Sequence, residues 1–261
     1  MVKIYESAFS YDYSFPAVTL AYFLRYPNPY STHVLSTDVI SRDIDSQGRL
    51  HTVRIHRKRT RLPSTVLKFL PHSVMASLSN NNNQNNKGGG KGHSSESYIL
   101  ERSTIDIKEG WMRTESRNLD WTGVLSVVER QEYQRQIPPN EKNKEDVSVA
   151  TGITGVVTTV IFRSRLGNRL RAKTVRATGE TTTSSGVEVE EEQPKKSLLA
   201  SWSTSGIQKS IEAIASHRTE NHLHKSKDGM VVVLERMRSG GLMAVLEGMR
   251  KDKEVAAAPF T

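Results

Sequence analysis

Apolar and polar positions recur with two different periods along this chain, and each period predicts its own kind of element. β-Branched and aromatic residues over 2–9 predict a first strand. An apolar run then follows Ser14 and Pro16, two residues typical of a helix start, and it ends at Tyr26-Pro27. This run predicts a short helix that is buried over most of its surface.

Strand signals resume after the helix, and the first two candidate strands are joined by a hairpin turn at 45–48. Alternation in the second strand places Leu50, Thr52, Arg54 and His56 on one face. Few apolar residues accompany Arg54 and Lys58 on this face, so the face is either exposed to solvent or lines a polar cavity. The candidate strands are 32–42, 50–58, 98–107, 111–119, 124–133, 158–162 and 170–177.

The longest helical signal covers residues 198–238. Its apolar residues form one stripe at helical spacing: Ile207, Ile211, Ile214, Leu223, Met230, Val233, Leu234 and Met237. The order of strand, helix, several antiparallel strands and long helix predicts an α+β fold, with a single antiparallel β-sheet curled around the long C-terminal helix.

Low-complexity segments interrupt this pattern. Residues 80–95 are rich in Asn, Gly and Lys, a composition that cannot bury enough surface to offset the entropy of ordering, and we interpret them as a disordered insertion. The chain is predicted to be one domain over residues 1–238, with insertions at about 76–96, 136–156 and 178–197. Residues 239–261 then form a tail.

Composition narrows the partners and the chemistry. The 261 residues carry a net charge of +9, which favours anionic partners: nucleic acid, an acidic membrane surface or phosphorylated ligands. The absence of cysteine excludes disulfides, thiolate metal sites and cysteine nucleophiles. No apolar run is long enough for a spanning helix, and the first residues lack the composition of an Arg-rich presequence.

Candidate chemistry is limited to cations and histidines. Residues 54–61 contain five Lys or Arg in eight positions, which alone would suit nucleic acid, but the run leads into the apolar segment 62–75 and suits an anionic membrane better. His217, His222 and His224 lack the spacing of a zinc-binding helix, so no metal site is predicted. No catalytic triad or phosphate-cradling glycine loop accompanies them, so we predict neither an enzyme nor a cofactor.

One stretch has a specific resemblance. Residues 2–75, with Arg25-Tyr26-Pro27-Asn28-Pro29-Tyr30-Ser31 and His33-Val34-Leu35, resemble the amino-terminal half of the PRELI family. Gln208-Lys209-Ser210-Ile211-Glu212 and Lys225-Ser226-Lys227-Asp228-Gly229-Met230 match that family's carboxy-terminal helix. The resemblance implies a cup similar to those of START and phosphatidylinositol-transfer proteins, with a lipid cavity between sheet and helix and a lid segment.

The resemblance also implies a function. PRELI proteins carry phospholipids between the outer and inner mitochondrial membranes. The Tyr-Ser-x-His-Val-Leu motif most resembles the branch of the family that carries phosphatidic acid for cardiolipin synthesis. Phosphatidylserine transfer by the same fold and a basic nucleic-acid-binding module stay open as alternatives. The expected partners are anionic mitochondrial membranes, touched peripherally, and a small helical twin-Cys-x9-Cys protein that would retain the chain in the intermembrane space.

Family positions imply which residues would serve the lipid. An apolar tunnel with fixed cations at one end would solvate acyl chains and a phosphate together. We expect Arg25→Glu to abolish transfer and leave the fold intact. The implied headgroup residues are Arg25, Lys58, Arg61, Arg218 and Lys225, and the implied lid and membrane-contact residues are Leu62, Val66, Leu67, Phe69 and Leu70.

Overall fold

Seven antiparallel strands form one sheet in the order β1-β7-β6-β5-β4-β3-β2. The computed structural model describes residues 2–63, 92–120, 122, 125–136, 152–164 and 196–257, of which 60–63, 92–95, 164, 196–220 and 256–257 are described by backbone alone. The strands are β1 (Val2–Tyr11), β2 (Val34–Ile44), β3 (Leu50–Pro63), β4 (Gly92–Asp106), β5 (Trp111–Asn118), β6 (Leu125–Gln136) and β7 (Ile153–Ser164).

Two helices complete the described fold: α1 (Phe15–Phe23) between β1 and β2, and α2 (Lys196–Ala257) at the carboxy-terminal end. The predicted α+β class, with one antiparallel sheet, a short first helix and a long last helix, is confirmed. Ser14 holds the N-cap position of α1, although its hydroxyl makes no capping hydrogen bond. In the described part of the chain, neither helix contains a stretch apolar enough to cross a bilayer.

Helix α2 reverses direction at Gly240-Gly241. Gly241 has a φ of 63°, a conformation that favours glycine, and both glycines are non-helical. Arg236 Nη1 lies 2.6 Å from Asp252 Oδ2, whereas sixteen residues of continuous helix would separate them by about 24 Å. The residues predicted as a tail therefore fold back as a second helical segment, and Val245 within it is fully buried.

The inner face of the sheet changes character from one end to the other. Across the strands, register aligns an apolar row: Phe9, Val156, Tyr133, Met112, Ile105 and Leu50. This row packs under α1 and α2 with Phe15, Val18, Met230, Val233 and Leu234, and together they form the core. The next row is polar but equally buried: Thr158, Gln131, Thr114, Ser103 and Thr52.

Three predicted boundaries were wrong. Residues 92–96, assigned to the first insertion, open β4 and pair with β3. Residues 153–156, assigned to the second, begin β7, and Lys196 of the third begins α2. The Gly-His-Ser-Ser-Glu sequence of 92–96 carries little apolar signal, but its backbone groups still pair with β3. The predicted strand at 170–177 lies outside the described residues.

Candidate functional site

Arg25 lies at the exit of α1 and is buried, with 7% of its surface exposed. Its guanidinium donates from Nη2 to Glu101 Oε2 at 2.6 Å. The guanidinium carbon also lies 4.1 Å from the ring centre of Tyr22 and 4.8 Å from that of Tyr26. A cation held between two aromatic faces and a carboxylate is fixed in one orientation.

Glu101 on β4 gathers three basic side chains. Arg54 donates to Oε1 from Nε at 2.8 Å, and His56 Nε2 lies 3.1 Å from Oε2. Arg54 also donates from Nη1 to the carbonyl of Phe23 at the end of α1. The carboxylate thus ties the helix exit to β3 and β4.

The protonation states in this cluster follow from burial and charge. Burial alone would raise the pKa of Glu101, but Arg25, the hydrogen bond to His56 and Arg54 outweigh burial and hold that pKa well below its ordinary value. Burial lowers the pKa of His56, despite its hydrogen bond to Glu101. At neutral pH two guanidiniums therefore face one carboxylate, which leaves an excess positive charge inside the protein.

This pairing corrects one expectation. Arg25→Glu would place two carboxylates together in a buried site, so we now expect the substitution to destabilise the fold. Arg25 is first of all a structural tie between α1 and β4. Its Nε is buried and, among the described residues, has no hydrogen-bond partner.

The turn after Arg25 packs directly against α2. Asn28 Nδ2 donates to the carbonyl of Arg25 at 2.6 Å, and Asn28 Oδ1 accepts from the backbone of Tyr30. A Cβ at position 229 would lie 2.9 Å from the Asn28 amide, closer than real contacts allow. Gly229 thereby permits the close approach of α2 to this turn.

A second basic group lies further along the inner face. His33, Lys58, His222 and Lys225 come from the loop before β2, from β3 and from α2, and they act on each other electrostatically. Burial, together with Lys58, His222 and Lys225, lowers the pKa of His33 to about 4. The structure thus brings Lys58 and Lys225, two of the five implied headgroup residues, into one neighbourhood.

Glu129 on β6 faces the same group. Burial lowers the pKa of Lys58, and the charge of Glu129 opposes that effect. Burial also lowers the pKa of His222, and Glu129 again opposes. Since β6 and β3 are separated by two strands in the sheet, this interaction crosses the concave face. The curl of the sheet therefore brings opposite inner-face side chains toward each other.

The inner face is more open around this second group than at the core. His222 and Lys225 are exposed and Lys58 is partly exposed, although protein surrounds Lys58 and His222 closely enough to lower their pKa values. Side chains that water reaches while protein surrounds them line a concavity. Apolar inner-face residues at this end are also partly exposed: Ile99, Leu125, Val127 and Phe162.

The remaining predicted residues are only partly placed. Arg61 lies in β3 opposite Ser94, and Leu62 lies opposite His93, so the segment interpreted as a lid begins as a strand. Arg218 lies in α2. The side chains of these three residues lie outside the description, as do Val66, Leu67, Phe69 and Leu70 altogether.

Sequence reasoning missed both carboxylates of the site. Glu101 and Glu129 occupy one inner-face row, with Ser116 between them on β5. The alternation of side chains along a strand could have placed each Glu on the inner face. Both strands are mostly polar, however, and their few apolar residues do not show which face is the inner one. His33 was part of the quoted motif without an assigned role.

Comparison with known proteins adds family evidence. Residues 16–87 match the family model described as PRELI-like family. The chain is 37% identical over 134 residues to Protein UPS1, mitochondrial, of Saccharomyces cerevisiae, covering 51% of this chain and 65% of that protein. It is 30% identical over 142 residues to PRELI domain-containing protein 1, mitochondrial, of Gallus gallus, covering 53% of this chain and 57% of that protein.

Solved structures give only weak likenesses. The aromatase/cyclase Zhui from Streptomyces sp. R1128 aligns with 93% of this chain and 100% of its own, at a TM-score of 0.40 and 12% identity. The protein TTHA0849 from Thermus thermophilus aligns with 68% of this chain and 88% of its own, at a TM-score of 0.32 and 13% identity. Both TM-scores are too low to support a conclusion about fold or function.

The curated relatives match about half of this chain, and the matches span less than two thirds of their own lengths. Arg25, His33 and Lys58 lie inside the 16–87 match to the family model. The resemblance stated from the sequence is thereby confirmed: residues 16–87 match the PRELI-like family model, and the chain is similar to the proteins named Ups1 and PRELI domain-containing protein 1.

Proposed function

We propose that this protein is a phospholipid carrier, not an enzyme, and that its preferred cargo is phosphatidic acid. One observation supports the proposal most: the inner face is closed at the core but partly open where Lys58, His222 and Lys225 meet. A carrier needs such a concavity, because a phosphate and its acyl chains must leave water together.

Charge balance favours a phosphomonoester. In the Glu101 cluster and the second basic group taken together, four cations face Glu101 and Glu129, which leaves two positive charges there. A phosphomonoester carries about 1.5 to 2 negative charges near neutrality, more than a headgroup whose phosphate is balanced by an ammonium. The four cations are Arg25, Arg54, Lys58 and Lys225.

The apolar side chains beside these cations suit acyl chains. Ile99, Val127 and Phe162 lie in one inner-face row between the charged row and the open end, and all three are partly exposed. Each methylene removed from water contributes about 0.8 kcal/mol. Partly exposed apolar side chains next to cations match the two ends of one lipid.

The nucleic-acid alternative is weakened by strand parity. The basic run 54–61 divides between two faces: Arg54, His56 and Lys58 point inward, whereas Arg57 and Arg59 are exposed on the outer face. The inward cations are therefore unable to join one outer surface for a nucleic-acid backbone. Phosphatidylserine carriage stays a second candidate, because Glu129 could accept its ammonium.

The setting follows from the relatives. Because those proteins are named mitochondrial, we propose that this chain acts in the mitochondrial intermembrane space, carrying phosphatidic acid from the outer to the inner membrane for cardiolipin synthesis. We further propose that Arg61 and Arg218 assist the headgroup, and that a twin-Cys-x9-Cys partner stabilises the protein. The proposed lid touches anionic membranes through Leu62, Val66, Leu67, Phe69 and Leu70.

Liposome transfer tests the proposal with a matched pair of variants. Lys58→Ala should slow the transfer of fluorescent phosphatidic acid between vesicles at least tenfold, because it removes an inner cation. The control is Arg57→Ala: Arg57 is the adjacent residue, lies on the outer face and forms an exposed ion pair with Glu96, so this variant should transfer like the unchanged protein. Absence of transfer by the unchanged protein, or equal loss in both variants, would overturn the proposal.

A further inference from the structure

Glu129 is an acidic residue in the concavity that we propose binds an anionic headgroup. Glu129 is partly exposed on the inner face of β6, in the same row as Glu101. Glu101 is directly ion-paired to Arg25 and Arg54. Glu129, by contrast, forms no ion pair among the described side chains, although its charge acts on Lys58 and His222.

The contacts of Glu129 hold its carboxylate in place. Gln131 Nε2 donates to Glu129 Oε1 at 2.9 Å, and Gln131 in turn accepts from the hydroxyl of Tyr133 at 2.8 Å. Both Gln131 and Tyr133 are buried, so this chain of hydrogen bonds is anchored in the core. The carboxylate is therefore a fixed negative charge facing the basic group.

We infer that Glu129 limits how tightly the inner cations hold an anionic headgroup, and so permits its release. The inference rests on the proposed function. A bound phosphate near Lys58 and Lys225 would be repelled by Glu129 at the same time as the lysines attract it. In the empty protein the same carboxylate offsets part of their charge, so the cations need not remain uncompensated.

A carrier must release its cargo, and a carboxylate facing the binding lysines makes release faster. A carrier that bound its cargo with every available cation and no opposing charge would dissociate slowly at the acceptor membrane, since affinity differences appear mainly in the dissociation rate. One repelling carboxylate lowers affinity without removing the cations that select the headgroup. Glu129 is then a determinant of affinity and of release.

Glu129→Gln tests the inference at small structural cost, because the amide keeps an oxygen that can accept from Gln131. Binding is measured by titrating the full chain with dihexanoyl phosphatidic acid, and transfer is measured between vesicles. We expect the dissociation constant to fall about tenfold, as loss of one unit charge within about 10 Å implies at an effective dielectric constant of about 20. Transfer should slow, because release becomes limiting.

Glu132→Gln is the matched control. Glu132 lies on the same strand but on the outer face, where it forms an exposed ion pair with Arg113. This variant should bind and transfer like the unchanged protein. An equal gain in affinity in both variants would indicate a general charge effect and overturn the inference.

Other outcomes separate the inference from the proposed function. An unchanged or raised dissociation constant in Glu129→Gln, in a protein that otherwise binds and transfers phosphatidic acid, overturns the inference alone. So does loss of dihexanoyl phosphatidylserine binding with phosphatidic acid unaffected, which would make Glu129 an ammonium acceptor. If inorganic phosphate binds the unchanged protein as tightly as dihexanoyl phosphatidic acid, the site is one for free phosphate and both proposals fail.

Discussion

At the residue scale, the buried carboxylate Glu101 organises the site more than any single cation does. It joins Arg25 from the exit of α1 to Arg54 and His56 on β3. Arg25→Met removes a buried charge-assisted hydrogen bond to Glu101 and the contacts of the guanidinium with the Tyr22 and Tyr26 rings. The substitution should therefore lower the free energy of unfolding by about 2 to 4 kcal/mol, measured by urea denaturation.

The control for this prediction is an exposed pair. Arg130 lies 3.0 Å from Glu115 with more than half of its side chain exposed. Arg130→Met should cost less than about 1 kcal/mol. Similar losses for Arg25→Met and Arg130→Met would show that the Glu101 cluster has no special structural role.

The histidine beside Lys58 predicts a pH dependence. The pKa of His33 falls from 6.5 to about 4 on folding. Between these values the unfolded chain binds more protons than the folded one, so stability decreases as the pH is lowered from 6.5 toward 4. His33→Asn should flatten this decrease in urea titrations repeated across that range. An unchanged pH slope would contradict the partly buried, neutral state of His33.

At the element scale, sequence pattern predicted the kinds of element well and their faces poorly. Apolar stripes located α1 and the middle of α2, where Met230, Val233 and Leu234 are buried as predicted. In β3 the inner residues Thr52, Arg54 and His56 are polar, while the outer Val53 and Ile55 are apolar and only partly buried. The buried face of a strand is normally recognised because its residues are apolar and those of the other face are polar. In β3 the inner face is polar, so this rule does not identify it.

The helical reversal at Gly240-Gly241 was also beyond the sequence pattern. Its second segment buries Val245 in the core and packs Met249 against that core, and two positions are too few to create a detectable period. The site, too, was predictable only in part. The family motif indicated Arg25, Lys58 and Lys225. It did not indicate their acidic neighbours, Glu101 on β4 and Glu129 on β6, because those pairings depend on sheet register. Register is set by the whole fold.

Val245 makes the reversal testable. Val245→Ala should lower the free energy of unfolding by about 2 kcal/mol, because the side chain is fully buried against the core. Leu246→Ala, the next residue and 45% exposed, should stay within about 1 kcal/mol of the unchanged protein. Equal effects in denaturant titrations would mean that the second segment does not pack on the core.

At the scale of the whole molecule, the inner face of the fold divides into a packed core and a partly open concavity. The apolar row under α1 and α2 forms the core, and the charged and partly exposed rows beyond it form the concavity. Lys58, Lys225 and Glu129 then reach the same space from β3, α2 and β6. Because each element contributes one or two charges, loss of one cation weakens binding without removing the concavity.

Native mass spectrometry of the purified full chain, after incubation with vesicles that contain phosphatidic acid and phosphatidylcholine, tests the central claim most directly. The partly open, positively charged inner face predicts a complex of one protein with one phosphatidic acid, and a reduced amount of that complex for Lys58→Ala. A protein that stays free of lipid, or that takes up phosphatidylcholine in equal amount, would contradict the account.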